Sequence, residues 1–122
     1  MSAPALPLAG IRVLELAQNL AGPMAGEILA HLGADVVKVE RPEGDDARGW
    51  GPPFWQGVSP GFLAVNANKR AITVDLKDPR AVAWLADLVG EFDVLVQNLR
   101  PGALEALGLG PAALTARYPR LV

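Results

Sequence analysis

The chain has 122 residues, of which 51% are hydrophobic and 20% charged, and its formal net charge is -2. This composition indicates one globular domain and excludes a disordered tail, and the small net charge gives no reason to expect nucleic acid or an anionic membrane as partner. The absence of cysteine excludes disulfides and thiolate chemistry, and a single histidine argues against a metal site of the zinc type. We expect a soluble, cytoplasmic protein, because no apolar run is long enough to cross a membrane.

The first part of the chain predicts a strand, a helix and a second strand. Residues 11–16 follow a glycine and alternate apolar with polar side chains, as strands do. A helix is predicted over 23–32, because proline favours the first helical turn and Gly33 provides a stop. The β-branched run within 33–42 indicates a strand buried on both faces. We expect the buried face of the helix to carry the apolar residues at helical spacing, namely Met24, Ala25, Ile28, Leu29 and Leu32.

The middle of the chain, residues 43–61, is rich in Gly, Pro and Asp and predicts a long loop. We expect its adjacent acids, Asp45 and Asp46, to be solvated rather than to bind a metal. Its aromatic residues favour packing against a core edge or an interface. They are Trp50, Phe54 and Trp55.

The remaining elements also alternate between helix and strand. Asp78 and Pro79 predict the start of a helix that ends at Gly90, with Ala81, Val82, Leu85, Leu88 and Val89 as its buried stripe. Strands and helices in this order indicate an α/β fold, a Rossmann-like parallel sheet with flanking helices. We interpret residues 120–122 as the start of another strand and therefore expect the N-terminal part of a longer protein. The other predictions are a helical turn at 62–66, strands at 71–76 and 92–97, and short helices at 103–107 and 111–117.

Ligands of open parallel sheets bind outside the carboxyl ends of the strands. This rule places several polar residues beside a helix start whose N–H groups favour anions. The cations among them, Arg41, Lys77 and Arg100, predict a ligand with several negative charges, such as phosphates. The alternative is that each is an ordinary surface charge, with Lys77 paired to a neighbouring aspartate. The full set at this rim is Asn19, Leu20, Arg41, Lys77, Asn98 and Arg100.

A dinucleotide site is the first specific hypothesis to test, because Glu40 lies where a ribose-binding acid would follow the second strand. The G-x-G-x-x-G fingerprint is missing, however, since Gly22 and Gly26 are spaced differently. No P-loop pattern occurs either. Nicotinamide-dependent redox chemistry is therefore disfavoured.

Seven segments, in order, resemble the N-terminal segment of the family III coenzyme A transferases. That family contains formyl-CoA, carnitine and succinyl-type CoA transferases and the α-methylacyl-CoA racemases. The resemblance covers nearly the whole chain. The segments are residues 8–16, 20–23, 32–42, 44–52, 66–70, 74–78 and 98–102.

The resemblance implies that residues 1–122 are the N-terminal, CoA-binding part of the family's large domain, in a protein whose two subunits interlock as a homodimer. By residue, Arg41, Val74, Lys77 and Asn98 match positions near the CoA adenosine and phosphates. Asn19 and Leu20 match a loop near the thioester end. Arg100 is placed there by the rim argument more than by the family. The implied substrates are an acyl-CoA and a small carboxylic acid, with coenzyme A as carrier and no metal.

The resemblance implies that catalysis depends on residues after Val122, because the family's transferases carry the acyl group and then CoA on a downstream aspartate. We expect Asp35, Asp75 and Asp93 to lie within or at the start of strands, away from the rim, and this segment alone to be inactive. Leu20 stands where formyl-CoA enzymes carry a polar side chain, which disfavours that substrate. Two alternatives remain, an acyl-CoA racemase of the same family and a non-catalytic module that binds a nucleotide or a protein.

Overall fold

The computed structural model describes residues 4–122, and its centre is one parallel sheet of four strands. The strands are β1 Arg12–Leu16, β2 Asp35–Glu40, β3 Arg70–Thr73 and β4 Val94–Gln97. The helices are α1 Ala21–His31, α2 Pro60–Ala64, α3 Pro79–Val89, α4 Ala103–Ala106 and α5 Pro111–Arg117, with a short 3₁₀ helix at Asp46–Gly49. The predicted α/β fold is confirmed. No helix of the described residues is long and apolar enough to cross a membrane.

The strand order is β3-β2-β1-β4, so the chain moves outward from β1 and then returns to the other side of it. The reversal lies between β1 and β4, where Leu16 is in register with Gln97. In open α/β sheets a crevice forms at this point, because the connections leave the two neighbouring strands in opposite directions. The topology therefore predicts a crevice beyond Leu16 and Gln97.

The two faces of the sheet differ in character. One face, with Leu14 and Val37, packs under α3, α4 and α5 and forms the larger core. The other face carries Val13 and Val36 under α1, but nearer the carboxyl ends of the strands it carries charged residues. Sheet alternation explains this pattern, because every second residue of β1 and β2 points to α1. The charged pair is Glu15 and Lys38, which are neighbours in the β1–β2 register.

The buried face of α1 was wrongly predicted except at Leu29, which is half-buried and packs against the core of Val13 and Val36. The fully buried residues of the helix are small, and the other bulky apolar ones lie outward, with exposed fractions between 41% and 53%. A Cβ on Gly26 would lie 1.8 Å from Oε2 of Glu15, so the charged half of the sheet leaves no room for a side chain there. The helix also begins at Ala21 rather than at Pro23. The buried residues are Gly22, Pro23, Gly26 and Ala30, and the exposed bulky ones are Leu20, Met24, Ile28 and Leu32.

Other elements agree with the sequence except at their ends. The helix α3 is confirmed, with Asp78 accepting a hydrogen bond from the Arg80 N–H and with Leu85 and Val89 buried. The strand β3 ends at Thr73, three residues earlier than expected, because the chain turns away after Val74. Residues 120–122 are not a strand, although the Val122 N–H donates to the Asp93 carbonyl at 3.1 Å and its carbonyl accepts from the Leu95 N–H at 2.9 Å.

The segment 43–61 is less irregular than expected, since it contains the 3₁₀ helix and the start of α2. Its aromatic side chains do not pack into a core edge of this chain. Trp50, Phe54 and Trp55 are 40%, 49% and 62% exposed. An interface role for them stays a prediction.

Candidate functional site

A groove follows the carboxyl ends of the strands, and we call it the rim groove. Between β1 and β4 it forms a cavity of about 360 Å³ that contains Asn19, Asn98 and Arg100. An adjoining cavity of about 520 Å³ extends past Lys77 towards α4. Three residues border both cavities, which are therefore neighbours and are described together, namely Gln18, Arg41 and Leu99.

The rim groove brings together most of the site residues predicted from the sequence. Asn19, Arg41, Lys77, Asn98 and Arg100 line it. Val74 is buried and lines a smaller apolar recess that Arg41 also borders. Leu20 lies outside the lining, at the start of α1, with 49% of its surface exposed.

The cations of the groove differ in their partners. Arg41 Nε donates to the Gly44 carbonyl at 2.9 Å, and its Nη2 is paired with Asp46 Oδ1 in the groove wall. Within residues 4–122, neither Lys77 nor Arg100 forms an ion pair. The alternative of a Lys77–aspartate pair is therefore wrong, since Asp75 Oδ1 accepts the backbone N–H of Lys77 instead, at 2.9 Å.

Several groove residues were missed. Gln18 and Leu99 lie two residues after the ends of β1 and β4, so the strand-end rule could have identified them. Asp46 required the fold of the loop after β2, which the sequence pattern did not indicate. Asp75 was expected inside a strand and away from the rim, but β3 ends at Thr73 and leaves Asp75 in the lining.

Glu40 is engaged by neighbouring residues and does not face the groove. Its carboxylate accepts from Arg48 Nε at 2.8 Å and Nη2 at 2.6 Å, and from the Asp45 N–H at 3.0 Å. The Arg48 hydrogen bonds lower the pKa of Glu40 below its ordinary value, against the opposing effect of burial. Because the lining of the groove does not include Glu40, the expected position of a ribose-binding acid is not available to a ligand.

The turn that joins β1 to α1, residues 17–20, is held by side chains from three other elements. Lys38 Nζ donates to the Ala17 carbonyl at 2.8 Å. Asn98 binds both backbone groups of Gln18, through Oδ1 to the N–H at 2.9 Å and through Nδ2 to the carbonyl at 2.8 Å. Asp45 Oδ1 accepts the N–H of Asn19 at 3.0 Å. Within the turn Asn19 adopts a left-handed conformation with φ of 66°, which asparagine adopts more readily than most residues.

Four charged side chains beneath α1 form what we call the buried charge cluster, Glu15, Lys38, Asp45 and Lys69. Lys38 Nζ lies 3.1 Å from Glu15 Oε1 and 2.9 Å from Asp45 Oδ2, while Lys69 Nζ lies 2.7 Å from Glu15 Oε2. Each of these side chains is at most 2% exposed. The expectation that Asp45 is solvated is therefore wrong, because the loop after β2 folds back over the strand end.

Two members of the cluster have shifted pKa values. Burial alone would raise the pKa of Asp45, but hydrogen bonds from Lys38 and from the Ala47 and Asn19 N–H groups lower it below its ordinary value. Burial lowers the pKa of Lys69, and Glu15 opposes this effect. The anionic form of Asp45 is therefore the one that the fold stabilises.

Comparisons with known proteins identify the family of this chain. The model of CoA-transferase family III matches residues 8–122. Succinyl-CoA:glutarate CoA-transferase of Mus musculus is 48% identical over 117 residues, which are 95% of this chain and 27% of that protein. Succinate–glutarate CoA-transferase of Agrobacterium fabrum is 46% identical over 123 residues, covering 95% of this chain and 31% of that protein. The chain thus spans less than a third of the length of these curated relatives.

Solved structures share the fold. The crystal structure of a CAIB/BAIF family protein from Brucella suis has a TM-score of 0.90 and 45% sequence identity. The match covers 98% of this chain and 32% of that one. The sequence resemblance is confirmed, and the chain belongs to CoA-transferase family III.

Proposed function

We propose that this chain is the coenzyme A-binding N-terminal part of an enzyme that transfers CoA from an acyl-CoA to a small carboxylic acid. The observation that carries the proposal is the convergence of Arg41, Lys77 and Arg100 on one groove at the switch point of the sheet. Cations from three strand ends are groups that bind phosphates, although the acids of the same lining offset part of their charge, namely Glu43, Asp46 and Asp75. The naming of similar proteins as CoA-transferases supports the same reaction.

In this proposal the nucleotide of CoA lies along the rim groove. Arg41 and Lys77 bind phosphates, and Asn98 and Arg100 complete the wall at the β4 side. The adenine lies in the larger cavity beside Leu76, because flat rings favour apolar walls, while the recess that Val74 lines, about 30 Å³, is too small to hold the ring. The thioester end then lies towards the turn that carries Asn19 and Leu20. The contribution of this chain is to bind and orient the acyl-CoA, while the aspartate that would carry the acyl group lies downstream, as the resemblance implies.

Two alternatives have weaker support. Hydride transfer with a nicotinamide cofactor is disfavoured, because Arg48 holds the only acid in the ribose-binding position, Glu40, away from the groove. An acyl-CoA racemase of the same family would use the same CoA site and would differ downstream. The transferase is preferred because the similar curated proteins are CoA-transferases by name.

We further propose that the complete protein is an interlocked homodimer of the cytoplasm. The exposed apolar residues along α1, from Leu20 to Leu32, support burial by chain outside this segment or by a second subunit. A molar-mass measurement of the complete protein by light scattering tests the dimer, and a monomer would contradict it. Fractionation of cells tests the compartment.

The binding part of the proposal is tested in the complete protein by titration calorimetry with CoA. Arg41→Ala and Lys77→Ala should each weaken CoA binding by about tenfold or more, because a charge-assisted contact contributes roughly 1.5 to 3 kcal/mol. Arg70→Ala is the matched control, since Arg70 pairs with Asp35 at the amino end of the sheet. Equal affinities for the wild type and both groove variants would contradict the site.

The reaction is tested by incubating the complete protein with succinyl-CoA and isotope-labelled glutarate. Labelled glutaryl-CoA, detected by mass spectrometry, is the expected product if the acceptor resembles that of the relatives. A panel of other carboxylic acids extends the assay if glutarate is not accepted. Incorporation of deuterium at the α-carbon of a 2-methylacyl-CoA, without transfer to any acid, would instead establish the racemase.

A further inference from the structure

We propose that Asp45 is a positioning residue for the turn that carries Asn19 and Leu20, and that it acts from the buried charge cluster. This inference rests on the proposed function, because it assigns the turn to the thioester end of CoA. It adds a residue that neither the strand-end rule nor the family resemblance assigns. Asp45 is 3% exposed and does not line the rim groove, so it acts through the turn rather than on the substrate.

The first argument is the number of independent supports on consecutive backbone groups. The Ala17 carbonyl, both groups of Gln18 and the Asn19 N–H are each bound by a side chain from another element. Lys38 and Asp45 supply the first and last of these bonds. A single surface turn does not need three distant supports to exist, so the arrangement favours a turn whose exact placement matters.

The second argument concerns the cost of placing charges under α1. Buried ion pairs are weak sources of stability, because desolvation offsets their attraction, and well-packed apolar residues of similar size often serve as well. The cluster also excludes any side chain at Gly26, whose Cβ would meet Glu15 at 1.8 Å. A role in fixing one conformation explains these charges better than a role in stability.

The third argument is that the two carboxylate oxygens of Asp45 have different partners. Oδ2 lies 2.9 Å from Lys38 Nζ, and Oδ1 accepts from the N–H groups of both Asn19 and Ala47. One oxygen therefore anchors the residue to the cluster, and the other holds the turn to the loop after β2. Removal of the carboxylate would release the Asn19 N–H from the loop after β2, while Lys77, which follows β3 in a separate loop, would keep its place.

The test compares Asp45→Ala and Asp45→Asn in the complete protein, with Asp35→Ala as control, because Asp35 is a carboxylate at the opposite end of β2. Four quantities are measured, the CoA dissociation constant, the kcat and the KM of CoA transfer, and the deuterium uptake of residues 17–21. Asp45→Ala should lower kcat by about tenfold or more, leave the CoA dissociation constant within about threefold, and raise the uptake. Asp45→Asn keeps an acceptor for the Asn19 N–H and should recover part of kcat.

Each result decides the proposal. An unchanged kcat in Asp45→Ala, or a loss of CoA affinity as large as the loss of kcat, overturns the positioning role. If Asp45→Ala does not fold, Asp45→Asn decides alone, and unchanged kcat with unchanged uptake overturns the role. A wild-type protein that binds no CoA would reject the proposed function instead, and the uptake measurement would still report whether Asp45 holds the turn.

Discussion

The side-chain amide of Asn98 binds the backbone of Gln18 on both sides, with Oδ1 accepting the N–H at 2.9 Å and Nδ2 donating to the carbonyl at 2.8 Å. These bonds lie beyond Leu16 and Gln97, the last register pair of β1 and β4. The two strands stay joined at the point where the groove opens. Asn98 thus has a structural role in addition to the CoA contact that the resemblance implies.

Replacement of Asn98 tests the contribution of these two hydrogen bonds to stability. Asn98→Ala should lower the free energy of unfolding of the complete protein by about 1 to 2 kcal/mol, because two hydrogen bonds are lost at a partly solvated position. Asn98→Asp should destabilise by a similar amount, since it keeps the acceptor but sets a carboxylate oxygen against the Gln18 carbonyl. Urea denaturation measures both. A fully stable aspartate variant would show that the Nδ2 bond contributes nothing.

A second prediction concerns the approach of α1 to the sheet. Gly26→Ala should destabilise the protein by roughly 1 to 3 kcal/mol, as overpacking does, although alanine favours helices by about 1 kcal/mol. The added Cβ would lie 1.8 Å from Glu15 Oε2 and 3.3 Å from Lys69 Nζ, and the buried ion pair cannot move aside. Gly49→Ala is the matched control, because a Cβ there meets no atom within 4 Å. Comparable stability of the two variants would contradict the close packing.

The sheet, its rim and most groove residues could be predicted from the sequence because they depend on local signals. β-branched runs, proline at helix starts and the strand-end rule suffice to place Arg41, Lys77 and Asn98 together. The packing of α1 could not be predicted in this way. Hydrophobic periodicity assumes that bulky residues face the core, but the strand residues below Gly26 are charged.

The buried charge cluster escaped prediction for a related reason. Glu15 and Lys38 are read singly as polar positions of alternating strands, and only the register of β1 on β2 shows that they are neighbours. Asp45 depends in addition on the path of the loop after β2. The Glu15–Lys38 pair and the burial of Asp45 both depend on contacts between residues distant in sequence rather than on local propensity.

Acid sensitivity is the third prediction. The pKa of Glu40 is lowered by Arg48, so the ionised carboxylate stabilises the fold, and this contribution is complete above the ordinary value of 4.5. It is lost as the pH falls through the lower pKa of the folded state. Glu40→Gln should therefore reduce stability at neutral pH and should lessen the fall in stability from about pH 6 to about pH 3.

Comparing the wild type with Glu40→Gln over the same pH range tests this prediction. Asp45 also has a lowered pKa, so some acid sensitivity remains in Glu40→Gln. Unfolding free energies of the wild type and the variant, measured at several pH values, should converge as the pH falls. Parallel curves would mean that the Glu40–Arg48 pair has no part in acid unfolding.

The last prediction follows from the ion pair of Arg41 with Asp46 in the wall of the groove. A phosphate that binds Arg41 must approach the negative charge of this carboxylate and competes with it for the guanidinium. Asp46→Asn should therefore strengthen CoA binding by about twofold to fivefold, which corresponds to an exposed ion pair of up to roughly 1 kcal/mol. Asp35→Asn removes the same charge at the amino end of the sheet and should leave the affinity unchanged. Calorimetry with the complete protein measures both, and weaker binding by Asp46→Asn would mean that Asp46 holds Arg41 in its binding position instead of competing for it.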